Sequence, residues 1–575
     1  MPRRNMQAKP RMRRPGKMLV LWLSAVLVLA GCSSIPTVGP VGTAAAEHNG
    51  DTGEDAVFSP EGPAEDASPQ DIIQGFIEAG KGAVDDYSVA RQFLAPELAD
   101  TWAPTERVTI YRSSRIVAMP EPDLFQIQLE VHGSVDARGI RTDAPDGTTE
   151  TFPVRLEEVE GQRRLSAVPD GIMVSLASFP ALFTDHNLYF YSSDYEYWVP
   201  DTRWFIQRAG IAANIVKELL VGPAPYLQGA VVSAFPAGTT LARDAVPVAS
   251  GEAVVDFVAD SLLDSSDLNR QQMVQQLKQN LRLNNVTSVK MTVDQRDVDL
   301  GKGSGELESA VADPSAGATQ IVVNEGELAY YADGPEPIGD VPSVAEYGPR
   351  DPAMFEDGSV IAFLDNRKDT LLITGTGQDV RVAADAEKFT PPSVDPGRWV
   401  WTSQPSGTGS QVFAVPFGGD RSSAAVLTAP WLEGLTVTEL RISRDGTRAL
   451  VVANQDGRSE VMIAGVVRSP EGVPLSLTVP MKLQVPSKAG VVNRAKWVSE
   501  DTVVAVQAGA EEAAPVILGP GRESELLSPK EGIAGLSAGN GIEDIFIQTE
   551  EGIFNKVGSS WSLRTEGTRD PAFPG

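Results

Sequence analysis

Cysteine occurs once in the 575 residues, at Cys32, and histidine three times, at His48, His132 and His186. The chain therefore makes no internal disulfide, and it lacks the Cys/His clusters that hold zinc or carry redox chemistry. A nucleophile elbow, whose order is Ser, acid, His, is short of its base wherever the serine lies beyond His186, because no histidine follows it. Positive charge is also scarce: 48 Lys and Arg face 77 Asp and Glu, for a formal charge of −29. Seven of those basic residues, Arg3, Arg4, Lys9, Arg11, Arg13, Arg14 and Lys17, crowd in front of position 30. The acidic remainder repels phosphate backbones, so no nucleic-acid partner is expected.

Long apolar runs are missing too, with one exception, MLVLWLSAVLVLA from Met18 to Ala30. As a helix this run is about 20 Å long, against a hydrocarbon core of about 30 Å, too short for a comfortable permanent span. With the basic cluster before it and small residues after it, residues 1–31 read as an export signal peptide. Leu29, Ala30, Gly31 and Cys32 together resemble the bacterial lipobox. In that motif the thiol receives a diacylglycerol, the chain is cut before the cysteine, and the new amine is acylated. Two or more buried acyl chains give stable anchoring. Cys32 is thus the expected site of S-diacylglycerol and N-acyl lipidation, which places the body on the outer side of the cytoplasmic membrane. Residues 32–68, rich in Pro, Gly, Ala and Ser and acidic without Lys or Arg, read as a disordered tether.

The remainder is of ordinary globular composition, 42% hydrophobic and 22% charged. Residues 69–182 open with a capped helix at Ser68-Pro69-Gln70-Asp71, continue with a helix from Ser88, and then carry strand-like runs near 107–118, 123–135, 149–159 and 162–168. This predicts an α+β domain. Residues 183–300 read as an α/β unit with one covered sheet face: a strand at HNLYFYSS, a helix from Ala209 to Val221, strands near 229–235, 240–246 and 252–258, a helix carrying Met273, Leu277 and Leu281, and a strand from Val286 to Val293. Residues 301–319 read as a linker. From residue 320 to 575 short β-branched runs are broken by turns at Asp357-Gly358, Pro396-Gly397, Asp445-Gly446, Glu500-Asp501 and Glu551-Gly552. Partial repeats at this spacing predict an all-β propeller of five or six blades.

Several motifs are declined. Gly75 to Lys81 has the spacing of a phosphate-binding loop, but Gly82 stands where a Ser or Thr is needed, inside a helix. Gly535-Leu536-Ser537-Ala538-Gly539 has the nucleophile-elbow pattern without the strand-to-helix setting or a later histidine. Carboxylate groups such as Asp294, Asp297 and Asp299, or Glu511 and Glu512, read as solvated surface. His132 and His186 read as packed or edge histidines. Core packing accounts for most of the aromatic set Tyr189, Phe190, Tyr191, Tyr195, Tyr197, Trp198, Trp204 and Phe205, and the loop from Ser192 to Trp198 is the segment of that set with a candidate binding role. No catalytic, cofactor-binding or metal-ligating residue is assigned.

The lipobox, the acidic tether, SPQDIIQGFIEAG, ARQFLAPELADTW, LYFYSSD, the repeated DG turns and the closing DPAFPG together resemble the actinobacterial lipoprotein LpqB family. The middle part is similar to GerMN domains and the last part to the propeller of that family. The resemblance implies a non-enzymatic, membrane-anchored accessory protein. It would work with an MtrA–MtrB-type two-component system by touching the sensor histidine kinase's extracytoplasmic domain, and so affect cell-wall metabolism and division. The alternative reading is a module or scaffold that binds cell-wall glycan. Neither reading calls for a cofactor.

Overall fold

The computed structural model describes residues 60–208, 210–258, 265–301 and 307–575. The export signal, most of the tether and the residues Leu29, Ala30, Gly31 and Cys32 lie outside the described residues.

Helix α1 (Pro69–Ala79) starts from a reciprocal cap. The Ser68 side chain accepts from the Asp71 backbone N–H, the Asp71 carboxylate accepts from that of Ser68, and Pro69 fills the first turn. The helix buries Ile72, Ile73, Phe76 and Ile77. A Cβ at Gly75 would lie 2.5 Å from the Phe93 ring, so glycine there serves helix packing rather than a phosphate loop. The second helix is shorter than the pattern suggests. α2 (Ser88–Arg91) ends after one turn; the chain then pairs Leu94 with Leu165, and Pro96 opens α3 (Pro96–Thr101). Strands β1 (Arg107–Ala118), β2 (Leu124–Asp136), β3 (Arg141–Asp143), β4 (Thr149–Val159), β5 (Gln162–Ala167) and β6 (Ile172–Ser175) follow. They form a sheet of order β5-β4-β2-β1-β6, with β3 also on β2. Along β2 every second residue is buried, the mark of a sheet with one face on a core.

A short turn of helix, α4 (Phe179–Leu182), leads into β7 (Phe183–Ser192) and β8 (Trp198–Ile206). Then come α5 (Ile211–Val221), β9 (Val231–Val232), β10 (Val248–Ala249), β11 (Glu252–Phe257), α6 (Asp267–Asn280), β12 (Ser288–Val293) and β13 (Arg296–Asp297). There are two sheets, not one: β8-β7-β9, and β10-β11-β12-β13 with β11 and β12 parallel. Strand β8 escapes a periodicity reading because its first six residues are all buried, so nothing alternates. Its Pro200 is tolerated because β8 is an edge strand. The run 240–246 is not a strand; Leu241 makes a single bridge to Phe257. Helix α6 buries polar side chains that find backbone partners: Gln276 and Asn280 both donate to the Tyr189 carbonyl, and Asn280 accepts from the Tyr189 N–H.

The C-terminal part is a six-bladed propeller. Blades 2 to 6 are successive antiparallel sheets, with innermost strands Arg350–Met354, Ser393–Val394, Thr436–Ile442, Arg494–Trp497 and Gly535–Ala538. Blade 1 is composite. Gln320–Asn324, Glu327–Tyr331 and Pro335–Pro337 come from its beginning, and Thr568–Ala572 closes the ring as the innermost strand, pairing Ile321 with Ala572 and Asn324 with Thr568. Four of the five repeated turns join the first and second strands of blades 2 to 5. The fifth, Glu551-Gly552, instead joins the second and third strands of blade 6. Glycine is required there for its own reason: φ is +145°, and a Cβ would lie 2.0 Å from the Thr565 carbonyl oxygen.

Ile321 is fully buried on the strand that receives the closing one. Ile321→Ala should therefore cost about 2–5 kcal/mol in urea denaturation. A loss below about 1 kcal/mol would mean that this seam does not hold the ring.

Candidate functional site

The middle domain and the propeller share one apolar core. Leu188, Phe190, Trp198, Ile215, Leu219 and Leu277 belong to the same cluster as Leu450, Val452, Ile463, Trp497, Val503 and Val516 of blades 4 and 5. Directional bonds fix the register of the two bodies. Tyr189 donates its hydroxyl to Glu500 at 2.7 Å, Asn187 donates to Asp501 at 2.9 Å, and Thr478 donates to the Tyr226 carbonyl at 2.5 Å. The N-terminal domain joins through the fully buried Arg203, which donates to Asp201 at 2.7 Å and to the Arg138 carbonyl at 2.8 Å. Trp204 donates to the Gly521 carbonyl at 2.8 Å, tying the same region to blade 5.

This docking holds the tip of the β7–β8 hairpin over one mouth of the propeller. Residues 307–319, read from sequence as linker, are pinned beneath it. The Trp198 N–H donates to the Val311 carbonyl at 2.9 Å, Trp198 Nε1 donates to Ser309 at 3.2 Å, and the Asp313 carboxylate accepts from the Glu500 N–H at 2.8 Å. Between hairpin, linker and the inner turns of blades 2 to 4 lies a cleft of about 490 Å³, a size ordinary for ligand sites. Its walls carry Tyr197, Phe355, Pro396 and Pro470. Asp194, Glu196, Glu356 and Glu471 also line it, and none of them forms an ion pair among the described residues. Arg468 is neutralised by Asp395 at 2.5 Å, whereas Arg444 donates to the Gly539 carbonyl at 2.7 Å. Burial pushes Glu500, at the base of the linker, above the usual carboxylate range, against the Tyr189 hydrogen bond.

A second charged cluster lies on the inner strands of blades 4 and 5. Glu439 is fully buried; Arg441 donates to it at 2.5 Å and Lys496 at 2.8 Å, and Arg494 stands 3.6 Å away. Burial alone would raise its carboxyl, but Arg441, Lys496 and Arg494 override burial and hold it at about 2. Burial and the neighbouring Arg441 push Lys496 down to about 7. Among the described residues no group of three or more His, Cys, Asp or Glu is placed to hold a metal ion, and no helix is long and apolar enough to cross a membrane.

Comparison with known proteins accounts for nearly the whole described chain. Residues 62–180 match the family model "Lipoprotein LpqB, N-terminal domain", residues 187–299 "Sporulation and spore germination", and residues 326–574 "Lipoprotein LpqB beta-propeller domain". The chain belongs to the LpqB family. Family members alike over nearly their full length include the lipoprotein LpqB of Thermobifida fusca, 25% identical over 96% of this chain and 97% of its own. That of Streptomyces coelicolor is 23% identical over 98% of each. Among solved structures, TolB from Acinetobacter baumannii aligns with 44% of this chain and 65% of its own at 14% identity and a TM-score of 0.34. The fold is that of the family: multidomain, mostly β, with a GerMN-like middle domain and a C-terminal propeller.

In this member the hairpin loop singled out by its aromatics divides its labour. Tyr191 and Trp198 are buried in the shared core, with ring centroids 4.0 Å apart, while Ser193, Asp194, Glu196 and Tyr197 line the cleft. Ser537 of the elbow-like motif is buried on an inner strand and donates to Gln320 at 2.8 Å. His186 is held at 2.7 Å from the Asn280 carbonyl, and burial lowers its pKa. His132 sits between Arg112 and Arg141, again with its pKa lowered by burial first. Asp297 pairs with Lys290 at 2.7 Å on an edge strand. The Glu439 cluster was not foreseen. Its signal was present in the alternation Glu439-Leu440-Arg441 and Arg494-Ala495-Lys496, but it acquires meaning only once these strands are known to be innermost.

Glu439→Gln leaves Arg441 and Arg494 around a neutral amide, with Lys496 pushed further toward its neutral form, and should cost about 3–5 kcal/mol near neutral pH. The depressed carboxyl contributes stability that is complete above its ordinary value of 4.5 and is lost as pH falls toward about 2. Urea denaturation at stepped pH should show that acid-side loss in the parent and a flatter profile in the variant. Parallel profiles would contradict the assignment.

Proposed function

We propose that the protein is a non-enzymatic lipoprotein anchored through Cys32 on the outer face of the cytoplasmic membrane. There it acts as an accessory of an MtrB-type sensor kinase and so influences cell-wall metabolism and division. The observation that carries this reading is the end-to-end similarity to proteins named lipoprotein LpqB, joined to Leu29-Ala30-Gly31-Cys32 directly behind a short apolar run. An acidic body on a lipid anchor gains nothing from anionic headgroups, so the acyl chains hold it at the surface.

The cleft beneath the β7–β8 hairpin is the contact surface in this reading, because it combines apolar walls with four carboxylates that form no ion pair among the described residues and suits a basic segment of the kinase's extracytoplasmic domain. Binding shifts the kinase only in so far as affinity differs between its states; a tenfold difference is worth about 1.4 kcal/mol.

Metabolic labelling with a tagged fatty acid should mark the parent and leave Cys32→Ala unlabelled and released from membranes. Label retained in the variant would refute the anchor. A photo-crosslinker in place of Tyr197, activated in membranes containing the kinase, should give an adduct with its extracytoplasmic domain. An adduct with wall glycan alone would favour the scaffold reading, and no adduct would count against contact at this cleft.

A further inference from the structure

The opposite mouth of the propeller has the reverse electrostatics. It is framed by the starts of the inner strands of blades 4 and 5, the chain entering blade 3, and the outer turns at Lys368 and Ser403–Ser410, which enclose a cavity of about 380 Å³. Lys368, Lys388 and Arg494 line it, and no Asp or Glu does. Arg494 continues inward to Glu439, Arg441 and Lys496. Of the five cations in cavity and inner cluster, four form ion pairs with two carboxylates, Lys368 with Asp351 and Arg441, Arg494 and Lys496 with Glu439, while Lys388 forms no ion pair among the described residues; the nearby Asp570 is itself paired with Arg350 and Arg569. With Lys496 neutral the balance is still positive. Such a surplus is conspicuous in a chain whose formal charge is −29.

The rest of the lining is uncharged and hydrogen-bonding. Ser410 accepts from the Val437 N–H at 3.0 Å and Asn493 is tied to Ala508, but the side chains of Gln404 and Thr436 make no hydrogen bond among the described residues. Phe389 and Pro391 supply an apolar wall. Partial enclosure strengthens attraction to an anion relative to open water, and free amide and hydroxyl groups orient a ligand that carries hydroxyls of its own.

We infer that this mouth of the propeller is a binding site for a small anionic sugar, a sugar acid or a sugar phosphate, held by Lys388 and Arg494 with Gln404 and Thr436 on its hydroxyls. The site lies at the far end of the channel from the hairpin cleft and is independent of the kinase reading, so either can fail alone.

The test is isothermal titration of the full-length protein in detergent micelles with glucose 1-phosphate, glucuronate, inorganic phosphate and glucose. One or both anionic sugars should bind with Kd of about 1 mM or tighter, and the two arms identify the anion. Glucose should give no saturable heat. Lys388→Glu, at an exposed position, should weaken binding about tenfold or more, as loss of a charge-assisted bond requires. Lys482→Glu, outside the cavity lining and paired with Glu460, should leave binding unchanged and so exclude a general charge effect. Thr436→Val should weaken the sugar anions and not inorganic phosphate. No saturable heat from either sugar anion up to roughly 10 mM, glucose binding as tightly as they do, or Lys388→Glu binding like the parent would each overturn the proposal. Inorganic phosphate binding as tightly as glucose 1-phosphate would overturn its sugar half.

Discussion

One apolar core, common to the middle domain and two propeller blades, is the constraint on which the rest of the structure depends. Domains joined in sequence by a polar segment usually move against each other unless the interface between them is large and apolar. Here Leu188, Phe190 and Trp198 share their cluster with Leu450, Ile463 and Val503, so the hairpin tip is held over the channel mouth. The polar ties from Tyr189, Asn187 and Thr478 then decide the orientation. Without the apolar contact the cleft would lose its hairpin wall. The polar bonds, each worth about 1 kcal/mol net, would not restore it.

Charge is distributed by the same architecture. Carboxylates are spread over the surface and rim the hairpin cleft, while cations gather where inner strands converge. The two mouths of one channel therefore differ in charge, with mostly carboxylates lining one and only cations among the charged residues lining the other. This follows from topology. Side chains two apart on an inner strand point to the same side, so Glu439 with Arg441, and Arg494 with Lys496, stack from adjacent blades into one cluster.

Much of the fold could be read before any coordinates. The capping box at Ser68 and Asp71 and the apolar face of α1 are local chemistry, and local chemistry is legible. So were β1, β2, β4 and β5, and the recurring inner turns that pointed to a propeller. What could not be read depends on partners distant in sequence. Strand β8 carries no alternation because both of its faces are covered; the end of α2 at Arg91 is dictated by pairing with Leu165; and the closing strand finds Gln320–Asn324 across the whole ring. The hairpin loop was flagged for its aromatics, but that Tyr197 faces a cleft while Trp198 faces the core follows from the docking of two domains. The cationic mouth was illegible for the same reason: Lys368, Lys388 and Arg494 come from three different blade segments.

Native-state hydrogen exchange on the full-length protein, measured as a function of denaturant, addresses the shared core most directly. If the middle domain and blades 4 and 5 are one cooperative body, amides in β7 and α6 and in the strands Arg448–Gln455 and Val503–Val506 will exchange through one opening reaction with a common free energy. Exchange of β7 and α6 at a clearly lower free energy, with the blades still protected, would contradict the account.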